Sequence, residues 1–215
     1  EELTYVWSHQ LRIAFFFSAM RHFRDELKEK GKPIVYRELT EDSDDDRGSS
    51  FRDILTEDLD QLNPEKVIVV LPGDWRVKEQ LENAAESAGI ELEIREDAHF
   101  YSTPEDFAEW ADGRKTLVLE TFYRHLRKKE NILIDSDGDP VGGDWNFDKE
   151  NRETFGKSGP PDSMEPVSKK DPDDLTCEVL KLVESRFGDH PGELSEFDLP
   201  VDREGALNWL EEFIK

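Results

Sequence analysis

Cysteine is almost absent from this chain: Cys177 is the single thiol in 215 residues. One thiol cannot close an internal disulfide, and it cannot ligate an iron–sulfur cluster or a zinc centre that needs several thiolates. Set between Thr176 and Glu178 in a helical pattern, it reads as a small packed residue. The five histidines stand apart at 9, 22, 99, 125 and 190, which gives no metal-ligand spacing. No apolar run is long enough to cross a bilayer, and the chain does not open on a basic and apolar signal segment, so a cytoplasmic protein is expected. A phosphate-binding glycine loop, a zinc signature and a serine–histidine–carboxylate grouping by spacing are all missing, and bond-making chemistry within the chain is not expected. Positive charge is also scarce. Lys plus Arg number 28 against 52 Asp plus Glu, a formal charge of -24 whose field repels phosphate backbones. The chain by itself is therefore not expected to bind nucleic acid. Two readings of the acidity stay open: a solubilising surface, or a halophilic source in which salt shortens the screening length.

What is present is periodic. Ile13, Phe16, Phe17, Met20, Phe23 and Leu27 recur at three- and four-residue steps, which predicts an amphipathic helix over 10–30 with a core-facing stripe, ended by Gly31. Residues 33–39 read as a short strand, 50–62 as a helix broken by Asn63-Pro64, and 66–71 as a buried strand. After Pro72-Gly73-Asp74 a helix runs to about Ala88 with Gly89 as its stop, and 90–95 read as a further strand. Strands alternating with helices predict a doubly wound α/β fold, a mainly parallel sheet with helices on both faces. Helices follow at 104–111 and 115–129, then an extended or irregular stretch to 155, a polar linker at 156–172, and helical segments at 173–187 and 203–215.

One string fits no period: Gly142-Gly143-Asp144-Trp145-Asn146-Phe147-Asp148-Lys149-Glu150-Asn151-Arg152. The glycines free the backbone to turn, the two rings are large apolar anchors, and the polar residues between them can bind neighbouring backbone, so the string reads as a fixed connector between two bodies. It closely resembles the GGxWNFDxENR motif of the photolyase-related proteins, the prokaryotic branch of the cryptochrome and photolyase superfamily that includes (6-4) photolyases. Other segments are similar in order. Glu2-Leu3-Thr4-Tyr5-Val6 looks like the family's EExTYV, and Ile13-Ala14-Phe15-Phe16-Phe17-Ser18-Ala19-Met20-Arg21-His22-Phe23 like its IAFxxSAMRHF. Pro72-Gly73-Asp74-Trp75-Arg76-Val77 resembles PGEWRV, Gly113-Arg114-Lys115 resembles GRK, and Phe122-Tyr123-Arg124 resembles the start of FYRxMRR. Leu199-Pro200-Val201-Asp202-Arg203 is similar to the start of the family's helical domain.

The resemblance implies a Rossmann-like antenna domain over 1–130, an interdomain connector over 131–172 and the start of the helical FAD domain over 173–215, a helical and irregular carboxy-terminal extension. Family members place a strand, a glycine-containing loop, a helix and a second strand before the segment that matches Glu1-Glu2, so the chain is read as an amino-terminal portion. By resemblance Glu2, Tyr5 and His9 border a pocket for an antenna chromophore, often a ribityllumazine. The family continues there with two histidines and a basic stretch, where this chain has Trp7-Ser8-His9-Gln10. Trp75 and Arg76 stand at a strand-to-helix switch, where open α/β sheets bind ligands; Trp75 can stack on a ring and Arg76 can pair with an anion. Capping explains Glu2 and Asp74 equally well. Gly142, Gly143, Trp145, Asn146, Phe147, Asp148, Asn151 and Arg152 form the connector. Phe122, Tyr123, Arg124 and Arg127 read either as a solvated face with a buried aromatic edge or as a surface for nucleic acid. Asp135-Ser136-Asp137-Gly138-Asp139 is an acidic turn, because Pro140 and Asn146 replace residues a calcium loop needs.

The resemblance further implies FAD, often with an iron–sulfur cluster, in the helical domain outside this chain, and damaged DNA as the partner met through that domain. No cofactor is assigned to the chain itself beyond the antenna. Three functions remain open: the antenna-binding and scaffolding portion of a light-dependent, flavin-driven DNA repair enzyme, itself without catalytic residues; a cryptochrome-like photoreceptor; and a non-catalytic interaction module.

Overall fold

The computed structural model describes residues 5–46, 50–148, 154–157, 159 and 168–214. Among them are seven α-helices and one two-stranded parallel sheet, a mixed α/β arrangement. In chain order these are α1 (Gln10–Glu29), α2 (Phe51–Leu62), β1 (Lys66–Val70), α3 (Trp75–Ala88), β2 (Glu91–Arg95), α4 (Pro104–Ala111), α5 (Leu119–Lys129), α6 (Asp174–Phe187) and α7 (Arg203–Ile214). The chain divides into two compact units, Glu1–Leu55 with Ser163–Lys215, and Thr56–Asp162.

The first unit is built on the packing of α1 against α6. The His9 ring accepts from the Leu11 N–H and starts α1, while Asp173 accepts from the Thr176 N–H at 2.9 Å and starts α6. Ala14 and Ser18, one turn apart and both fully buried, let the helices approach. Ile13, Val179, Val183, Phe187 and Phe197 fill the core around them. Gly31, at φ +67, ends α1 as its position predicts. The predicted single stripe is divided, however. Phe16, Met20 and Phe23 are 46%, 51% and 58% exposed, because α1 is apolar over an arc wider than α6 covers.

Residues 33–39 form no strand. They run beside α1, held by side chains: Arg21 donates to the Leu39 carbonyl at 3.0 Å and pairs with Glu38, and Arg24 pairs with Glu38 and lies over the Tyr36 ring at 5.0 Å. Arg186 of α6 reaches the next stretch, binding Asp46 at 2.6 Å and the Thr40 carbonyl at 2.7 Å.

The second unit contains a βαβ element. β1 and β2 pair in parallel from Lys66↔Glu91 to Val70↔Arg95, with α3 as the crossover that packs on β2 through its buried Ala84 and Ala85. Asp74 caps α3 and Gly89, at φ +68, ends it. The sheet strands predicted at 66–71 and 90–95 are thus present. α4 opens on a reciprocal Thr103–Asp106 capping box with Pro104 in its first turn. Trp110 and Phe122, both buried, join α4 to α5 with ring centroids 4.9 Å apart, and Phe107 meets Phe122 edge-on at 5.1 Å. Lys129 closes the pair on Asp106 at 2.6 Å.

Candidate ligand-facing segments and the tryptophan connector

Three segments carry the candidate residues. The first leads into α1. Tyr5 is 71% exposed, and Trp7 lies on the His190 ring, centroids 5.6 Å apart. The buried His190 meets the Ser8 carbonyl through Nδ1 at 2.8 Å. Gln10 donates from its amide side chain to the His190 carbonyl and from its backbone to the Pro191 carbonyl, both at 2.8 Å. The His9 ring is engaged as the α1 cap and sits against Gly192, which at φ +103 has no side chain to displace it. The His9 ring is thus already occupied. Glu2 lies outside the described residues.

The second segment is the turn from β1 into α3, at the carboxyl end of the parallel strands. Asp74 accepts from the Arg76 N–H at 2.7 Å and pairs with the Arg76 guanidinium at 3.2 Å. The capping role is therefore present, and Arg76 is oriented by it. Trp75 is 72% exposed, with the Lys78 ammonium 4.7 Å from its ring centroid. A planar, accessible indole at this position suits a flat ring ligand.

The third segment is the connector. After α5, Asn131 and Leu133 take positive φ, at 53 and 51. An isolated antiparallel bridge, Ile134↔Pro140, and the Val141 N–H to Leu133 carbonyl bond at 2.9 Å close a hairpin. The Asp135 carboxylate fills its acidic turn, accepting from the Asp137 and Asp139 N–H groups at 3.0 and 2.9 Å. Gly142 and Gly143, at φ +90 and +86, then turn the chain, and a Cβ on Gly142 would press on the Phe147 ring at 3.2 Å. This reversal returns half-buried Trp145 to α5, where Arg127, Lys128 and Arg124 lie 5.1, 5.2 and 5.7 Å from its centroid. Asn146 accepts from the Asp148 N–H at 2.7 Å, and Phe147 is 47% exposed. Asn151 and Arg152 lie outside the described residues.

The structure thus brings together two strings read separately in the sequence, Phe122-Tyr123-Arg124 with Arg127 and Gly142-Gly143 with Trp145. Phe122 is the buried aromatic edge and Arg127 is buried as well, only 6% exposed. Sequence reasoning missed His190 and Gln10 as the anchors of the segment before α1; about 180 positions separate them, and nothing local marks the pair. Among the described residues no group of three His, Cys, Asp or Glu could hold a metal ion. No helix among them is long and apolar enough to cross a membrane.

A parallel βαβ element whose carboxyl edge bears an exposed indole, followed by a hairpin that seats Trp145 on α5, makes the chain a mixed α/β protein. The chain belongs to the deoxyribodipyrimidine photo-lyase-related protein family, whose model matches residues 1–199. It is 40% identical over 214 residues to a (6-4) photolyase of Agrobacterium fabrum, covering 99% of the chain but 41% of that relative. It is also 24% identical over 149 residues to an uncharacterized protein of Acanthamoeba polyphaga mimivirus, covering 67% of the chain and 71% of that protein. The chain thus spans about two fifths of the length of the photolyase it matches.

Proposed function

We propose that this chain is the chromophore-holding and scaffolding portion of a protein that repairs DNA by light-driven electron transfer from a flavin. The observation that carries this reading is the seating of Trp145 on α5, two family motifs meeting within one chain whose photolyase relative is more than twice as long. By role rather than compactness, residues 1–130 are the antenna portion, 131–172 the interdomain connector and 173–215 the entry to a helical domain. In the full-length protein β1 and β2 are neighbours in a larger, doubly wound parallel sheet. Ile68 and Val70, 46% and 50% exposed, favour this arrangement, since strands of parallel sheets are covered on both faces.

Glu2 and Tyr5, before α1, and Trp75 and Arg76, at the turn into α3, are each proposed as antenna-facing residues for a ribityllumazine-class chromophore, through hydrogen bonding, ring stacking or charge pairing. His9 shapes that segment through α1 rather than by free contact. The reduced flavin, bound by the helical domain, supplies the electron that the lesion receives. The residues of this chain orient and shield; they neither make nor break bonds. Damaged DNA is met through the helical domain.

The test uses the full-length protein purified in the dark. Expected are flavin and lumazine absorption bands and blue-light-dependent repair of (6-4) lesions, with the antenna band weakened in Tyr5→Ala and Trp75→Ala while the flavin band is kept. A colourless protein with no light-dependent repair refutes the proposal. Light-induced spectral change without repair assigns the photoreceptor role instead.

A further inference from the structure

Arg127 is buried, yet among the described residues it has no carboxylate partner, in a chain with 52 acidic side chains. A buried guanidinium needs compensation for lost hydration, and here it comes from the connector. Nε donates to the Ile132 carbonyl at 3.2 Å and Nη2 to the Leu133 carbonyl at 2.6 Å. Leu133, at φ +51, holds a left-handed conformation that a branched side chain disfavours, and its carbonyl accepts from both Arg127 and the Val141 N–H. The planar guanidinium lies 5.6 Å from the Tyr123 ring centroid and 5.1 Å from that of Trp145. One side chain on α5 therefore binds both the start of the hairpin and the indole that follows it.

We infer that Arg127 is the positioning residue of the connector. Its guanidinium fixes Trp145 on α5. Strand pairing contributes a single bridge to the hairpin, so the cation and the indole act as its latch. Arg124, paired with Glu120, and Lys128 complete a cationic ring around Trp145. The basic end of α5 serves the connector and is not a surface for nucleic acid.

Hydrogen exchange on the full-length protein tests the latch without reference to flavin or repair, so its failure is separable from failure of the proposed activity. Arg127→Met is expected to speed exchange of the 141–148 amides at least tenfold, with 66–70 and 91–95 unchanged. Arg127→Lys, which keeps the charge without the two-carbonyl fork, falls between wild type and Arg127→Met. Trp145→Leu reproduces the Arg127→Met pattern, and the double variant is no faster than either single one. Unchanged 141–148 exchange in Arg127→Met, or multiplicative effects in the double variant, overturns the inference. Should Arg127→Met not fold, Trp145→Leu decides alone: it must release 141–148 with 66–70 still protected.

Discussion

His22 offers the sharpest test of how the first unit is held together. Its Nδ1 lies 2.8 Å from the Ser18 carbonyl oxygen and its Nε2 lies 2.7 Å from Asp173 Oδ2. Both partners are acceptors, so both ring nitrogens are satisfied only in the imidazolium. Burial of the ring opposes that charge. The bonds to Asp173 and Ser18, with the charges of Asp173 and Asp202, outweigh burial and raise the His22 pKa above its ordinary 6.5. At Asp173 partial burial again works against the charge, and hydrogen bonds from Thr176 and His22 overcome it, holding the carboxyl at about 2 instead of 3.8. The His22 contribution is complete below pH 6.5 and is lost as pH climbs through the raised folded value. The Asp173 contribution is complete above 3.8 and is lost as pH falls toward 2. The tie between α1 and the start of α6 is therefore whole between these limits. At about 1.36 kcal/mol per pH unit the Asp173 displacement corresponds to about 2.4 kcal/mol. Its carboxylate is 57% exposed, and solvent screening reduces this to about 1 kcal/mol. His22→Gln is expected to cost about that much at pH 5.5, a midpoint shift of roughly 4 °C for a unit of this size, and little at pH 9. Urea unfolding of the full chain at both pH values measures the difference. An equal cost at the two values would refute an imidazolium tie.

At Gly192 a Cβ would fall inside the His9 ring at φ +103, so Gly192→Ala is expected to cost at least about 2 kcal/mol in thermal unfolding and to raise exchange at the start of α1. The bond from Lys129, with those from Thr103, holds the Asp106 carboxyl at about 2. In Lys129→Met, NMR titration should find that carboxyl nearer 3.8.

The elements legible in the sequence are those whose causes are local. Lys66–Val70 is a β-branched run bounded by proline and glycine, and Asp74, Thr103 and Gly89 mark helix ends by their own side chain or lack of one. Residues 33–39 have the composition of a strand, but Arg21 and Arg24 take the place of a neighbouring strand, and neither is visible from within the segment. The stripe on α1 is correct in period and too broad in extent, since only α6 decides which part of it is covered. At the connector the reason for a Gly-Gly turn and for a helix ending in Arg127-Lys128-Lys129 is the same contact. It becomes apparent only when the hairpin at 131–141 folds one onto the other.

The same contact bears on where the positive charge of this acidic chain is spent. Many of its cations are tied within the structure: Arg24 and Arg21 to Glu38, Arg186 to Asp46, Lys66 to Glu93, Arg124 to Glu120, Lys129 to Asp106 and Lys169 to Glu196. Arg127, the most tempting candidate for a phosphate contact because it follows Tyr123 on one helix, points its guanidinium at two carbonyls and an indole. With these cations engaged, the net charge of -24 leaves an excess of negative charge that opposes a phosphate backbone on average. On the proposed function, affinity for a lesion is then expected of the helical domain, while the cations of this chain serve its own fold.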